Sequence, residues 1–290
     1  MPIDAAQALA AAPRSAEISW DHKDVQLYHL GVGAGTNPDT ADPATDPDEL
    51  RYTLESRLHV LPSFATVAGA GMGMMSGLSV PGIDVDLAAV LHGGQAIELH
   101  RPIPVKGTAT ATASVAAVYD KGKAAVLVLR SEVADDKGPL WTTDAQLYVR
   151  GEGGFGGERG PSARLGAPDR PFDRTLHRPV RADQALLYRL SGDWNPLHAD
   201  PEFAKLAGFD RPILHGLCTY GMTLKAVVDT VLGGDVARVR AYRTRFAGVV
   251  FPGESLRIGL WESPGRVQAE VVAVDRDGAP VLADTVVEHT

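Results

Sequence analysis

Residues 217–232 read LCTYGMTLKAVVDTVL, and this stretch decides the fold. Its apolar side chains recur at the three- and four-residue spacing of one helix face, which predicts a long, apolar α-helix. The helix is expected to end at Gly233-Gly234, because glycine often follows the last helical turn. The residues that share this spacing are Leu217, Tyr220, Leu224, Val227, Val228 and Val231.

Strand-like segments rich in Val, Thr and Ala form two groups along the chain. One group comprises residues 95–99, 108–119, 124–134 and 140–149, and the other comprises residues 241–249, 255–261, 266–274 and 280–288. Turns such as Asp275-Arg276-Asp277-Gly278 predict that each group is an antiparallel meander. A weaker, glycine-interrupted helix over residues 63–75 precedes the first meander. The two halves therefore form a faint internal repeat, and a helix wrapped by a curled antiparallel sheet is an α+β fold.

A segment dense in Gly and Pro separates the halves. Residues 151–170 read GEGGFGGERGPSARLGAPDR, with few apolar anchors, which is typical of a linker. A chain of 290 residues is long enough for two packed halves. The sequence therefore predicts one half over residues 1–150, the linker, and a second half over residues 171–290.

Composition and charge exclude several classes of protein. The net charge of −8 argues against binding nucleic acid through bulk electrostatics, although a few basic residues can serve one phosphorylated ligand. The single cysteine, Cys218, excludes an intrachain disulfide and is interpreted as a small core residue. Neither a signal peptide nor a membrane span is predicted, so a cytoplasmic location is expected. The acidic residues 37–49 are interpreted as a solvated loop, with a lid over the substrate as the alternative.

The residues suited to chemistry are concentrated in residues 188–216, YRLSGDWNPLHADPEFAKLAGFDRPILHG. Asp193 and His198 lie five residues apart, with an Asn-Pro dipeptide between them. Pro196 prevents a regular helix and Gly192 permits an unusual backbone angle, so a kinked loop can turn a carboxylate, an amide and an imidazole toward one point. A carboxylate beside an imidazole is a general acid/base pair that can hold and polarise one water.

An oxyanion donor is predicted where residues 212–216, PILHG, lead into the apolar helix. The first amides of a helix have no internal acceptor, and the helix dipole favours negative charge there. Gly216 has no side chain and would let a ligand carbonyl approach its N–H closely. An acid/base pair with such a donor suits chemistry α or β to a thioester carbonyl, where charge develops on the oxygen.

Residues 190–198, LSGDWNPLH, and residues 214–216, LHG, resemble the signature of the R-specific hydratase 2 (MaoC-like) family. Segments of the first half are similar to the two-half, eukaryotic-type members: GVG at 31–33, LP at 61–62, LHGGQ at 91–95 and RPIP at 101–104. The resemblance implies a double hotdog fold with one active site per chain. It also implies syn hydration of a trans-2-enoyl-CoA to a (3R)-3-hydroxyacyl-CoA, with no metal and no cofactor besides the CoA of the substrate.

The resemblance also implies roles for individual residues. Asp193 and His198 are expected to be the catalytic pair, Asn195 to orient Asp193 or the water, and the Gly216 amide to bind the thioester oxygen. The residues expected to bind the substrate are His92, Gly93, Lys121, Trp194, Pro196, Leu197 and Phe246. The first half lacks the Gly-Asp-x-Asn-Pro-x-His motif and is expected to bind acyl-CoA without catalysing, and a homodimer is possible. Lys121 is equally compatible with a plain turn residue, and Phe246 with core packing.

Other functions stay open at this point. A dehydratase acting on carrier-protein thioesters would need a basic patch, which Arg238, Arg240, Arg243 and Arg245 could supply. A non-catalytic acyl-thioester binding module would not need the Asp-Asn-His trio, and a hotdog thioesterase would not carry the signature. A metal held by His198 and Asp200 would have only two ligands. Short-chain, long-chain and steroid side-chain acyl groups are all possible substrates.

Overall fold

Ten antiparallel strands form one continuous sheet. The computed structural model describes residues 3–69, 80–86, 89–161 and 164–290. The strands are β1 (Arg14–Trp20), β2 (Val90–Leu99), β3 (Gly107–Asp120), β4 (Ala124–Asp135), β5 (Gly138–Arg150), β6 (Arg174–Pro179), β7 (Val239–Phe246), β8 (Ser255–Ser263), β9 (Arg266–Ala273) and β10 (Ala279–His289). The α-helices are α1 (Ala5–Leu9), α2 (His22–Gly31), α3 (Pro47–Thr53), α4 (Gln184–Tyr188), α5 (Pro201–Leu206) and α6 (Gly216–Thr230).

The strand order repeats between the two halves of the chain. Across the sheet the order is β1-β3-β4-β5-β2-β7-β10-β9-β8-β6. Counted from its own edge, the second half therefore runs β6-β8-β9-β10-β7, which is the same order as β1-β3-β4-β5-β2. The predicted α+β fold and internal repeat are confirmed. The two outermost strands, β1 and β6, were not predicted, because each is short and pairs along one side alone.

The halves meet where β2 pairs with β7. The register runs from Gly94 opposite Arg245 to Glu98 opposite Ala241. A side chain at Gly94 would place its Cβ 2.9 Å from the Thr244 carbonyl oxygen, so this close approach requires glycine. Strand β2 begins five residues earlier than predicted, and the residues predicted to bind substrate at positions 92 and 93 therefore lie on a strand.

Helix α6 is the predicted apolar helix, and it begins and ends within two residues of the expected positions. Residues 218–228 are all buried. Tyr220 on α6 stacks on Tyr242 of β7 with ring centroids 4.0 Å apart. Each tyrosine hydroxyl donates to the other residue's backbone carbonyl, at 3.0 and 3.1 Å. These reciprocal bonds fix the helix on the strand that joins the halves.

The helix predicted over residues 63–75 differs from the structure. Its first residues belong to a short 3-10 helix, Pro62–Thr66, and residues 70–75 lie outside the described ranges. A helix that was not predicted, α2, packs against α6. Glycine at position 221 allows this contact, because a Cβ there would lie 2.6 Å from the Tyr28 hydroxyl oxygen.

The acidic residues 37–49 are not a fully solvated loop, so that interpretation is wrong in part. Glu49 lies within helix α3 and is buried, where its carboxylate accepts from the Lys225 ammonium at 2.6 Å. Asp39 pairs with Arg178 of β6 at 2.8 Å. The segment therefore attaches the first half to the second through ion pairs.

The glycine-rich linker lies along the turn between β3 and β4. The Asp120 carboxylate accepts from the amides of Gly154 and Gly156, both at 2.8 Å, and these bonds lower the pKa of Asp120. The Lys121 ammonium donates to the Pro161 carbonyl at 3.0 Å. The linker is thus a packed segment over much of its described length. None of the described helices is long and apolar enough to cross a membrane.

Candidate active site

The loop that carries the predicted acid/base pair is folded by its own side chains. Gly192 adopts a φ of +117°, which ends a short 3-10 helix and turns the chain, as predicted for glycine at this position. The Asp193 carboxylate accepts a hydrogen bond from the backbone N–H of Asn195 at 3.2 Å. The Asn195 side chain then accepts from the Leu197 amide at 3.0 Å and caps the 3-10 helix Pro196–His198. Asn195 therefore shapes the loop that presents Asp193.

His198 is buried and has a defined tautomer. Its Nδ1 lies 2.9 Å from the Ile213 carbonyl oxygen, which can only accept, so Nδ1 carries the proton and Nε2 carries a lone pair. Burial lowers the pKa of His198, while the Ile213 bond and the charge of Asp193 act in the opposite direction. The imidazole is therefore neutral near pH 7, with Nε2 ready to accept a proton.

His215 lies against both members of the pair. Its ring stacks on the His198 ring with centroids 3.7 Å apart and planes inclined by 27°. Its Nε2 lies 3.2 Å from the Asp193 backbone carbonyl and donates to it. One carboxylate oxygen of Asp193 and one ring nitrogen each of His198 and His215 all lie within 4.8 Å of one another. Burial lowers the pKa of His215, and the neighbouring His198 lowers it further.

The trio has the composition of a metal site, because one ligand atom from each residue lies within 4.8 Å of the others. Hydrogen bonds to the Ile213 and Asp193 carbonyls occupy His198 Nδ1 and His215 Nε2, so these imidazoles offer His198 Nε2 and His215 Nδ1 as lone-pair atoms. A site without metal stays a prediction from the sequence.

Gly216 is the first residue of α6, directly after His215. Throughout the described ranges, its amide donates no hydrogen bond to a protein acceptor. The amide thus has the free N–H that an oxyanion donor requires. A Cβ at this position would lie 3.0 Å from Cε1 of Phe246, so the absence of a side chain lets the Phe246 ring lie close to the helix start.

Phe246 connects this site to the first half of the chain. Its ring packs edge-on against His92 of β2 with centroids 4.7 Å apart. Burial lowers the pKa of His92 to about 4, and the charge of Asp193 acts against this shift. His92 Nε2 is buried and has no partner among the described residues. The structure therefore brings His92, Phe246 and Gly216 together beside Asp193 and His198.

The remaining predicted substrate contacts lie around this centre or away from it. Trp194 is exposed, and the Arg189 guanidinium lies 5.0 Å from the centre of its ring. Pro196 is exposed, and Leu197 is half-buried. A Cβ added at Gly93 would lie 3.5 Å from the Cβ of Tyr148, which is an ordinary contact distance. Lys121 instead contacts the linker carbonyls, and no described contact joins it to Asp193, His198 or Gly216.

Neither the contacts of His215 with the acid/base pair nor the place of Tyr188 beside it was predicted from the sequence. Tyr188 is buried, and its ring lies 4.9 Å from the His215 ring. Its hydroxyl has no hydrogen-bond partner in the part of the chain that the structure describes. Both residues fall within residues 188–216, but spacing alone does not reveal a ring stack.

Two family models match the chain. The MaoC like domain matches residues 164–278, and the MFE-2 hydratase 2 N-terminal domain matches residues 18–151. The enoyl-CoA hydratase ChsH3 of Mycobacterium tuberculosis is 48% identical over 285 residues, which cover 98% of each protein.

Solved structures agree with the fold. The crystal structure of a MaoC-like dehydratase from Phytophthora capsici superposes with a TM-score of 0.88 at 29% identity, covering 99% of this chain and 98% of that one. A Mycobacterium tuberculosis protein described as a double hotdog fold superposes with a TM-score of 0.57 at 11% identity, over 96% of this chain and 94% of that one. The predicted double hotdog fold is confirmed.

Proposed function

The chain belongs to the MaoC-like dehydratase family with a hydratase 2 N-terminal half, and we propose that it hydrates trans-2-enoyl-CoA to (3R)-3-hydroxyacyl-CoA and catalyses the reverse dehydration. The observation that carries this proposal is the arrangement of three groups. The Asp193 carboxylate and the neutral His198 imidazole lie within 4.8 Å of each other, and the Gly216 amide directly follows His215, whose ring stacks on His198.

The three groups suit each stage of water addition. The water oxygen bonds to C3 of the enoyl group while one water proton passes to the acid/base pair. The C2–C3 π electrons shift, and negative charge develops on the thioester oxygen, where the Gly216 N–H stabilises it. C2 then takes a proton from the pair. One water is added, no group leaves, and nothing is oxidised or reduced.

The tautomer of His198 determines where the proton on C2 comes from. Its Nδ1–H is held by the Ile213 carbonyl, and its Nε2 is unprotonated near pH 7. In the free protein His198 and the Asp193 carboxylate are therefore both proton acceptors. The proton that the pair delivers to C2 is the one it has taken from the attacking water.

The first half would bind the acyl-CoA next to this centre. His92 of the first half and Phe246 of the second half form an aromatic wall that adjoins Gly216. We place the thioester group beside this wall with its oxygen at the Gly216 amide, so that C2 and C3 face Asp193 and His198. Substrate contacts at Gly93, Trp194, Pro196 and Leu197 remain part of this proposal, and Lys121 would need to leave the linker carbonyls to join them.

A carrier-protein substrate is less well supported than CoA. The four arginines that could form a basic docking patch lie on or next to β7, the strand at the centre of the sheet. Arg243 pairs with Glu288 at 3.2 Å, Arg245 pairs with Asp284 at 2.7 Å, and Arg238 donates to the Thr290 carbonyl at 2.7 Å. Carboxylates thus neutralise two of the four arginines, and a third is held by a backbone oxygen.

An assay on enoyl-CoA substrates tests the proposal. Purified protein should remove the ultraviolet band of the conjugated enoyl thioester from crotonyl-CoA or from longer enoyl-CoAs, and chiral analysis should find the 3R product. Binding of acyl-CoA without loss of the band would favour the non-catalytic binding module. Release of free CoA would favour a thioesterase. Either result would contradict the hydratase.

Location and assembly are further parts of the proposal. The single, fully buried cysteine makes the fold indifferent to the redox compartment, and a cytoplasmic location is proposed as the default. A homodimer is part of the proposal on the family resemblance alone. Cell fractionation and light scattering of the purified protein test these two points.

A further inference from the structure

We infer that His215 is a positioning residue that holds both members of the acid/base pair, Asp193 through a backbone hydrogen bond and His198 through ring stacking. The inference rests on the proposed hydration and extends it to a residue outside the predicted catalytic residues Asp193, His198, Asn195 and Gly216. His215 precedes Gly216, so one dipeptide would supply the support of the pair and the oxyanion donor.

The hydrogen bond from His215 determines where Asp193 lies. Gly192 turns the chain just before Asp193, so the backbone of Asp193 lies outside the preceding 3-10 helix. His215 Nε2 holds this backbone by donating to the Asp193 carbonyl at 3.2 Å. Because a misplacement of about 1 Å can cost on the order of 100-fold in rate, one such bond is sufficient to affect turnover.

The ring stack determines the environment of His198. The His215 ring covers one face of the His198 ring, and Tyr188 packs behind His215 at 4.9 Å. This stack keeps water from the His198 ring, and the loss of water is the main cause of its lowered pKa. The charged groups that act on His198 are Asp193 and Arg189, with opposite effects on its pKa.

The remaining nitrogen of His215 argues against a merely structural histidine. Since Nε2 donates, Nδ1 carries the lone pair, and this atom is buried with no partner in the described ranges. A buried polar atom without a partner destabilises a fold. A phenylalanine would fill the same space without the destabilising effect of an unpaired nitrogen. The ring nitrogens are therefore expected to have a functional use.

Two substitutions separate the two contributions. His215→Phe keeps a flat ring over His198 but cannot donate to Asp193. His215→Gln keeps an N–H donor near the position of Nε2 but removes the ring. Tyr220→Phe is the matched control, because it removes a buried hydrogen bond from the same helix at a position facing Tyr242 instead of the candidate site.

The expected results differ between the variants. On crotonyl-CoA, His215→Phe should lower kcat by on the order of 10–100-fold with little change in KM, and the acid limb of its pH profile should stay in place. His215→Gln should lose less kcat, but its acid limb should move to higher pH, because water then reaches His198 and raises its pKa toward 6.5. Tyr220→Phe should change neither quantity.

Three outcomes would overturn the inference. The first is wild-type kcat and an unmoved acid limb in both His215 variants. The second is a change in KM alone, and the third is an equal loss of kcat in Tyr220→Phe, which would trace the effect to the stability of the helix.

Nitrogen-15 spectra of the imidazole rings give a readout that does not depend on turnover. His215 should be the Nε2–H tautomer and His198 the Nδ1–H tautomer at pH 7. A protein with these tautomers that fails to hydrate any enoyl-CoA would contradict the proposed function and leave the His215 contacts standing. A different His215 tautomer would contradict the contacts themselves.

Discussion

Lys225 of helix α6 and Glu49 of helix α3 form a buried ion pair between the two halves, with Nζ 2.6 Å from Oε1. Lys225 also pairs with Asp229 at 2.8 Å, and its ammonium lies 4.7 Å from the centre of the Tyr52 ring. The Tyr52 hydroxyl donates to Asp229 at 2.7 Å. Each charged group in this cluster therefore contacts a group of opposite charge, which a buried ion requires.

Lys225→Met should strongly destabilise the protein, because it leaves the Glu49 carboxylate buried and without its cation. We expect the free energy of unfolding to fall by about 3–5 kcal/mol, measured by urea denaturation. Arg174→Met is the control, since Arg174 pairs with Glu262 in a more exposed position and its loss should cost about 1 kcal/mol or less. Equal losses in the two variants would contradict the importance of the buried pair.

Asp193→Asn and His198→Gln should each abolish most of the hydration activity, by on the order of 100–10,000-fold in kcat. If both side chains act on one water, the double variant should lose little more than either single variant. Binding of a 3-hydroxyacyl-CoA, measured by calorimetry, should survive in all three variants. Near wild-type turnover in either single variant would show that the mechanism is wrong.

Gly216→Ala should disturb the aromatic wall next to the oxyanion donor. Its Cβ would lie 3.0 Å from Phe246, so either the ring or the helix start must move. We expect a loss of about 1–3 kcal/mol in the free energy of unfolding, together with a lower kcat/KM. In a Phe246→Leu background the same substitution should cost less, because the smaller side chain makes room. An equal cost in both backgrounds would mean that Phe246 does not crowd this position.

The buried neutral His29 should make the protein less stable in acid. Burial lowers its pKa to about 3, and its two ring nitrogens bond the backbone of Tyr52 and Leu61. Between pH 6.5 and about 3 the unfolded chain binds a proton that the folded chain excludes, so stability falls as pH decreases. From pH 7 to pH 5 this residue alone should account for a loss of about 2 kcal/mol.

Urea denaturation at the two pH values measures this effect. His29→Asn should lower stability at pH 7 but flatten the dependence on pH. Cys218→Ala serves as the control, since burial raises the pKa of that thiol and its loss should lower stability equally at both pH values. An unchanged pH dependence in His29→Asn would contradict the assignment.

Local sequence patterns predicted the elements whose determinants are local. The apolar spacing of α6, the strand composition of the meanders and the Gly-Asp-x-Asn-Pro-x-His motif each lie within one continuous segment. Glu49 was interpreted as solvated because its partner, Lys225, lies 176 residues further along the chain. The stack of His198 on His215 escaped prediction for the same reason, since it depends on how a loop lies against a helix start.

The edge strands show a second limit of sequence patterns. Strand β6 reads RTLHRP, with charged and polar side chains at most positions, and it is held as a strand by pairing with β8. Such a strand gains its conformation from its neighbour instead of from its own composition. Lys121 shows a related limit. Its turn sequence does not reveal that the ammonium donates to a carbonyl of the distant linker.

The pairing of β2 with β7 joins two halves of equal strand order within a single polypeptide. In an assembly of two identical subunits, every substitution occurs twice, so a change that adapts a binding wall also alters the copy that carries the reacting groups. Here the Asp-Asn-His motif occurs in the second half alone. Selection for a different acyl group can therefore reshape the first half while the reaction centre of the second stays unchanged.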